Sequence, residues 1–142
     1  MGTADMTNDQ LIEMAASVLN PHTTADGRVF GDVAAALVTD RGTVFSGVCI
    51  DTTCGTGFCA EHAAIAAMVT AGEYRIARIV AVWRDDSDNE LRVVPPCGRC
   101  REFMRQVDEA NLGTEVVLGL TKILRLQDLL PYHEWPGPRA LR

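Results

Sequence analysis

Apolar residues recur at helical spacing at Leu11, Met14, Ala15, Val18 and Leu19, with Asn8 or Asp9 as the cap. The chain therefore opens on an amphipathic helix, which Asn20-Pro21 ends. Residues 22–28 are polar, contain Asp26-Gly27, and read as a loop. The apolar run Val33–Thr39 has the length of a buried strand. The turn Asp40-Arg41-Gly42 leads into a second strand over residues 43–50, so the two make a hairpin. Residues 51–58 hold three threonines and two glycines and read as a loop.

Residues 59–71 are alanine-rich, without Pro or Gly, and form a helix that Gly72 stops. Ala63, Ala64, Ala66 and Ala67 suit close packing against a sheet. Residues 76–83 are a continuous apolar strand, buried on both faces. Residues 84–92 read as a charged, solvated loop. Pro95-Pro96 precedes a helix over residues 98–110, with Phe103, Met104 and Val107 turned inward. Strands follow at 115–118 and 121–124, then a short helix over 126–130 stopped by Pro131. Alternating helices and strands call for an α/β fold with a mixed, largely parallel sheet. There is no internal repeat or linker. Residues 1–135 form a single domain and 136–142, with Pro136-Gly137-Pro138, a C-terminal tail.

Hydrophobic residues make up 47% of the 142 and charged residues 23%, which supports a folded globular chain over a disordered one. Thirteen basic against nineteen acidic residues give a net charge of −6. That balance argues against nucleic acid as a partner, since a phosphate backbone demands a basic footprint. It argues equally against binding at a membrane surface. No apolar run approaches the ~20 residues needed to span a bilayer. Residues 1–10 carry Asp5 and Asp9 and no basic region before an apolar one, which does not fit a secretory signal. The expected location is cytoplasmic.

Five cysteines stand at positions 49, 54, 59, 97 and 100, an odd number that excludes a complete internal disulfide set. Cys97 and Cys100 form C-x-x-C, which alone reads as half a zinc site, a redox pair or two small core residues. Two helix starts change the picture. One opens with Cys59-Ala60-Glu61, the other is approached through Pro96-Cys97-Gly98-Arg99-Cys100. If the strands feeding them are neighbours, both helix N-termini lie at one sheet edge and three thiolates converge. Zinc suits such a set, and three protein ligands leave a fourth position open, the mark of a catalytic metal that acidifies water. Glu61 sits on the same turn as Cys59 without being a ligand, and can shuttle the proton. Three thiolates outweigh the charge of Zn2+. The two helix N-termini offset part of that excess, and Arg99 or Arg101 could donate to a thiolate. His62 reads either as a further thiolate partner or as a partly exposed helix histidine. Cys49 and Cys54 read as small buried or loop residues.

The Cys-Ala-Glu and Pro-Cys-x-x-Cys motifs match the zinc deaminase signature in its three-cysteine form. On these residues the chain resembles the cytidine deaminase superfamily. Within it, the likeness is to the small three-cysteine branch that holds tetrameric cytidine deaminases and blasticidin S deaminases. The resemblance runs over about residues 33–131, with weaker support from Val33-Ala34-Ala35-Ala36-Leu37, Gly42, Gly47 and Leu129-Leu130-Pro131. It implies a three-layer α/β/α sandwich around a mixed five-stranded sheet, one Zn2+ per subunit, a homotetramer, and a place in pyrimidine salvage. It implies hydrolytic replacement of a pyrimidine's exocyclic amine by oxygen. Cys59, Cys97 and Cys100 match the zinc ligands, Glu61 the proton shuttle, and the main chain near Ala60 and Pro96 would lie against the base.

The chain also departs from the pattern. Cys49 stands where the family places an Asn and Asp51 where it places a Glu, both ribose contacts. Gly31, with Asp32 beside it, stands where an aromatic is usual, and His62 where Arg is frequent. Asp32 and Asp51 would make an acidic mouth suited to a cationic appendage, as in blasticidin-type nucleosides. Tyr132 and Trp135 lie where the family's C-terminal aromatics reach a substrate, in the same subunit or a neighbour. The expected function is a zinc-dependent hydrolytic deaminase of an aminopyrimidine nucleoside, of cytidine or deoxycytidine type. The alternative substrate is blasticidin S or a modified nucleoside. The alternative from another class is a non-catalytic, zinc-stabilised binding module with Cys49 or Cys54 as the fourth ligand.

Overall fold

A computed structural model describes residues 6–134; Trp135 and the expected tail, 136–142, lie outside them. Helix α1 (Asn8–Ser17) is capped by Thr7, not by Asn8 or Asp9. The Thr7 hydroxyl accepts from the Gln10 N–H at 3.1 Å, and the Gln10 side chain accepts from the Thr7 N–H at 2.9 Å. This reciprocal box satisfies two otherwise orphaned donors. Leu11, Ile12 and Ala15 are buried, whereas Met14, expected inward, faces solvent.

The expected loop over 22–28 is instead a small ribbon. Strand β1 (His22–Thr23) pairs antiparallel with β2 (Val29–Phe30). The hairpin is as expected: β3 (Val33–Thr39) pairs antiparallel with β4 (Val44–Val48). Helix α2 (Ala60–Thr70) leads to β5 (Ile76–Arg84), and Gly72 adopts a left-handed φ of 82° between them. The expected charged loop after β5 is shorter than 84–92, because its end is strand β6 (Leu91–Val94), folded back antiparallel on β5. Helix α3 (Gly98–Val107) stops before Ala110, and a separate 3-10 turn, Glu109–Gly113, carries the chain into β7 (Glu115–Val117). Strand β8 (Ile123–Arg125) and a second 3-10 turn, Leu126–Leu129, follow.

The sheet runs β4-β3-β5-β7-β8, with β6 on β5 as well. Five strands form the path, and β6 shares with β7 the edge of β5 that β3 leaves open. The sheet is mixed, but it is not largely parallel: among the described residues only β5 and β7 pair that way. The crossover through α2 does join like-directed strands, β4 and β5. However, β3 lies between them and runs against both.

Alternate residues of the strands feed two cores, as the period-2 side-chain alternation requires. Ala34, Ala36, Val80, Val82 and Val117 meet Leu11, Ile12 and Ala15 of α1 on one face. Ala35, Leu37, Ile79, Ala81 and Val116 meet Ala60, Ala64, Ile65 and Met68 of α2 and Met104 of α3 on the other. This is the three-layer sandwich. Burying a side chain such as Ile65 or Met104 contributes about 1.5–3 kcal/mol. Asn111, fully buried, ties the layers with polar contacts. Its Oδ1 accepts from the Ile76 N–H at 2.8 Å, and its Nδ2 donates to the Tyr74 and Met104 carbonyls. Among the described residues no helix is long and apolar enough to cross a membrane.

Candidate active site

Val48, Ala34 and Val82 align across three neighbouring strands, and Val94 pairs with Ala81 one residue away. The ends of β4 and β6 therefore lie at one end of the sheet, and the chain leaves each toward a helix. Cys59 is the N-cap of α2 and Cys97 the N-cap of α3, both extended in backbone. Neither side chain caps its helix, so both sulfurs remain available. Gly47 lets α2 approach: a Cβ there would stand 2.5 Å from the Ala63 Cβ and 2.6 Å from the Ala64 nitrogen.

Cys97 Sγ lies 3.6 Å from Cys59 Sγ and 3.5 Å from Cys100 Sγ, and all three sulfurs fall within 4.8 Å of one another. A tetrahedral ion with Zn–S bonds of about 2.3 Å would space its sulfurs about 3.8 Å apart. The set is soft, convergent and all thiol, and it fits zinc, which the chain takes as its cofactor. Burial pushes the Cys59 and Cys100 thiols up. Burial acts the same way on Cys97, but the Cys100 and Arg99 N–H groups and the neighbouring sulfurs outweigh it and hold that thiol below its ordinary value. Neither Cys49 nor Cys54 joins this cluster, so no fourth side-chain ligand is found among the described residues.

Glu61, one residue into α2, is 5% exposed, and burial raises its carboxyl pKa. With Ala60, Cys59, Cys97, Cys49, Val33, Ala81, Val94 and Pro95 it lines an inner cavity of about 190 Å³. Pro95, not Pro96, is the proline in this wall. Pro96 is buried, and its carbonyl accepts from Arg101 Nε at 2.8 Å.

Cys49 and Cys59 also line a larger outer cavity of about 650 Å³. Its walls include Asp32 and Asp51, as the acidic-mouth expectation requires, but also Arg28 and Arg99. The mouth is therefore of mixed charge. Arg28 pairs with Asp26, while among the described residues Asp51 has no ion pair or hydrogen bond and Asp32 accepts only from the Cys49 thiol. Gly31, where an aromatic is usual, has a φ of 73°, and a Cβ would stand 2.3 Å from the Asn20 carbonyl oxygen.

The two arginines do not donate to a thiolate. Arg99 Nη1 donates to the Gly57 carbonyl at 3.3 Å, and Arg101 Nη1 to the Leu129 carbonyl at 3.1 Å. His62 is 8% exposed, not a partly exposed helix residue, and its Nδ1 lies 3.4 Å from Cys100 Sγ. Burial and the Arg99 charge lower its pKa. Sequence reasoning missed Arg28, hidden in an expected loop, and gave Phe103 only a core role, although it stacks on His62. The spacing of Cys100 and Phe103, three apart on a helix, is the signal that would place both on one face.

A family model described as the cytidine and deoxycytidylate deaminase zinc-binding region matches residues 6–114. The blasticidin-S deaminase of Bacillus cereus is 41% identical over a 76-residue alignment that covers 51% of this chain and 54% of that protein. The chain spans about half the length of the curated relatives it matches. The crystal structure of cytidine deaminase from Burkholderia pseudomallei superposes with a TM-score of 0.70 at 30% identity, covering 89% of this chain and 98% of that one. That of cytidine deaminase from Mycobacterium tuberculosis gives 0.71 at 26% identity, covering 90% and 97%.

Proposed function

The chain belongs to the cytidine and deoxycytidylate deaminase zinc-binding family, and on that premise we propose that it is a hydrolytic deaminase of aminopyrimidine nucleosides that releases ammonia. One observation carries the reading: a buried carboxyl, Glu61, faces the same 190 Å³ cavity as Cys59 and Cys97. When bound by Cys59, Cys97 and Cys100, zinc supplies the Lewis acidity that makes a water nucleophilic near neutral pH.

The rest falls to the chain. Val33, Ala81, Val94 and Pro95 form an apolar slot for a flat ring and keep bulk water from it. Glu61 takes one proton from the attacking water and delivers it to the ring nitrogen, then carries the second, from the newly added hydroxyl, to the departing amine. A C–O bond forms, the exocyclic C–N bond breaks, and ammonia leaves. Burial suits Glu61 to both halves of this cycle, because it keeps the protonated form accessible. Among the described residues no side chain completes the three-sulfur set, which speaks against a closed structural zinc module.

The outer cavity favours a second substrate reading within the same chemistry. Carboxylates of Asp32 and Asp51 near the guanidiniums of Arg28 and Arg99 suit a nucleoside with a charged appendage, as in blasticidin S. A homotetramer, a cytoplasmic location and a role in pyrimidine salvage complete the proposal. The second apolar face of α2, where Ala66, Ala67 and Val69 are exposed, supports association. The test is ammonia release from cytidine, deoxycytidine, cytosine, blasticidin S and adenosine. Release from cytidine or deoxycytidine supports the first reading, release from blasticidin S alone the second, and release from none removes both.

A further inference from the structure

Cys100 is the one fully buried sulfur of the cluster, and a side chain from the opposite helix reaches it. His62 Nδ1 stands 3.4 Å from Cys100 Sγ. A metal-bound thiolate has no hydrogen to give, so this contact is a hydrogen bond only if Nδ1 carries the proton. The ring is also held in plane. Phe103, three residues beyond Cys100 on α3, stacks on it with centroids 4.2 Å apart and planes 19° apart. No carboxylate pairs with the imidazole among the described residues. Since Arg99 and Arg101 donate to carbonyls, His62 is the one side chain outside the cluster within hydrogen-bond reach of its sulfurs there.

We propose that His62 is a positioning residue for the zinc: an imidazole that carries a proton at Nδ1, is clamped by Phe103, and donates to the Cys100 thiolate. The proposal rests on the zinc reading of the cluster. Three thiolates bring more negative charge than a divalent ion offsets, and a hydrogen bond draws electron density from one of them. It also fixes the direction of the Cys100 lone pairs, because the ring cannot rotate without losing the stack. Partners of this kind shift metal affinity by about 10–100-fold when removed.

The experiment compares the 142-residue chain with its His62→Ala, His62→Gln and Phe103→Leu variants. Zinc affinity is measured by competition with a chromogenic chelator. The cobalt-substituted forms are compared by their thiolate-to-metal charge-transfer absorption. His62→Ala should weaken zinc binding about 10–100-fold and shift that absorption. His62→Gln, which keeps an N–H donor, should recover part of both effects, and Phe103→Leu should move both in the direction of His62→Ala. Circular dichroism of the metal-free forms separates a folding defect from a binding defect. If His62→Ala fails to fold, His62→Gln and Phe103→Leu decide. Unchanged affinity and unchanged absorption in the variants that fold overturn the proposal. Wild-type protein that takes up neither zinc nor cobalt overturns the zinc reading beneath it, a result distinct from any difference among variants.

Discussion

The Cys49 thiol donates to Asp32 Oδ1 at 3.1 Å, at the point where the inner and outer cavities share a wall. Burial, and then the Asp32 carboxylate, push the Cys49 thiol up, so it stays a neutral donor. Asp32 stands near the place where a bound nucleoside would pass from ring to appendage.

Selectivity should therefore follow the two carboxylates. Asp32→Asn and Asp51→Asn together should lower kcat/KM for a nucleoside with a cationic appendage about tenfold or more and leave cytidine much less affected, given roughly 1.5–3 kcal/mol for hydrogen bonds to charged groups. Paired kinetics on cytidine and blasticidin S check this. An unchanged ratio of the two would remove Asp32 and Asp51 from specificity.

Glu61→Ala should hold zinc as the wild type does while ammonia release falls by about 10²–10⁴-fold or more. Metal content by elemental analysis and ammonia by coupled assay give the two readouts. Retained turnover would strip Glu61 of the proton-shuttle role.

Removing zinc with a chelator should abolish turnover and lower the unfolding midpoint, and added zinc should restore both. Binding to the native state alone stabilises it by about 4 kcal/mol when free zinc is a thousand times its dissociation constant. Cys97→Ser should behave like the chelated protein in calorimetry. A midpoint indifferent to zinc would contradict a site built from two helix caps.

Acid stability should depend on a pair far from the metal. Thr39 Oγ1 donates to Glu73 Oε1 at 2.6 Å, and this bond holds the Glu73 pKa below its ordinary value of 4.5. A lowered folded-state pKa means the contribution is fully present above that ordinary value and is lost as pH falls through the folded one. Glu73→Gln should thus be less stable than wild type at pH 7, and the gap should close toward pH 3. Denaturant titrations at both pH values give the comparison, and a gap that widened in acid would reverse the sign argued here.

Much of the fold was legible because its long elements carry strong periodicity. The run Val33–Thr39, the alanine helix and the apolar stretch from Ile76 are continuous signals that tertiary packing reinforces. The ribbon of His22–Thr23 with Val29–Phe30 was missed because two residues cannot display alternation. Strand Leu91–Val94 hid behind the charges that precede it. Sheet direction was misjudged because a crossover helix fixes the relative direction of the strands it joins but not what lies between them. The convergence of Cys59, Cys97 and Cys100 was legible because both motifs sit at helix starts and together match the zinc deaminase signature. The arginines were not, because which carbonyl a long side chain finds depends on packing: Arg101 ties Pro96 to Leu129.

Gly31 sets a constraint on how this protein could be altered. Its left-handed backbone and the Asn20 oxygen leave no space for even a methyl group. A designer wishing to place a ring beside Asp32, which lines the outer cavity, could not do so by exchanging one codon. The peptide would first have to turn over, which would sacrifice the bond from the Gly31 N–H to the Cys49 carbonyl and the one from the Asn20 N–H to the Gly31 carbonyl. The lack of a side chain beside Asp32 is thus written into main-chain shape and not into the choice of residue alone.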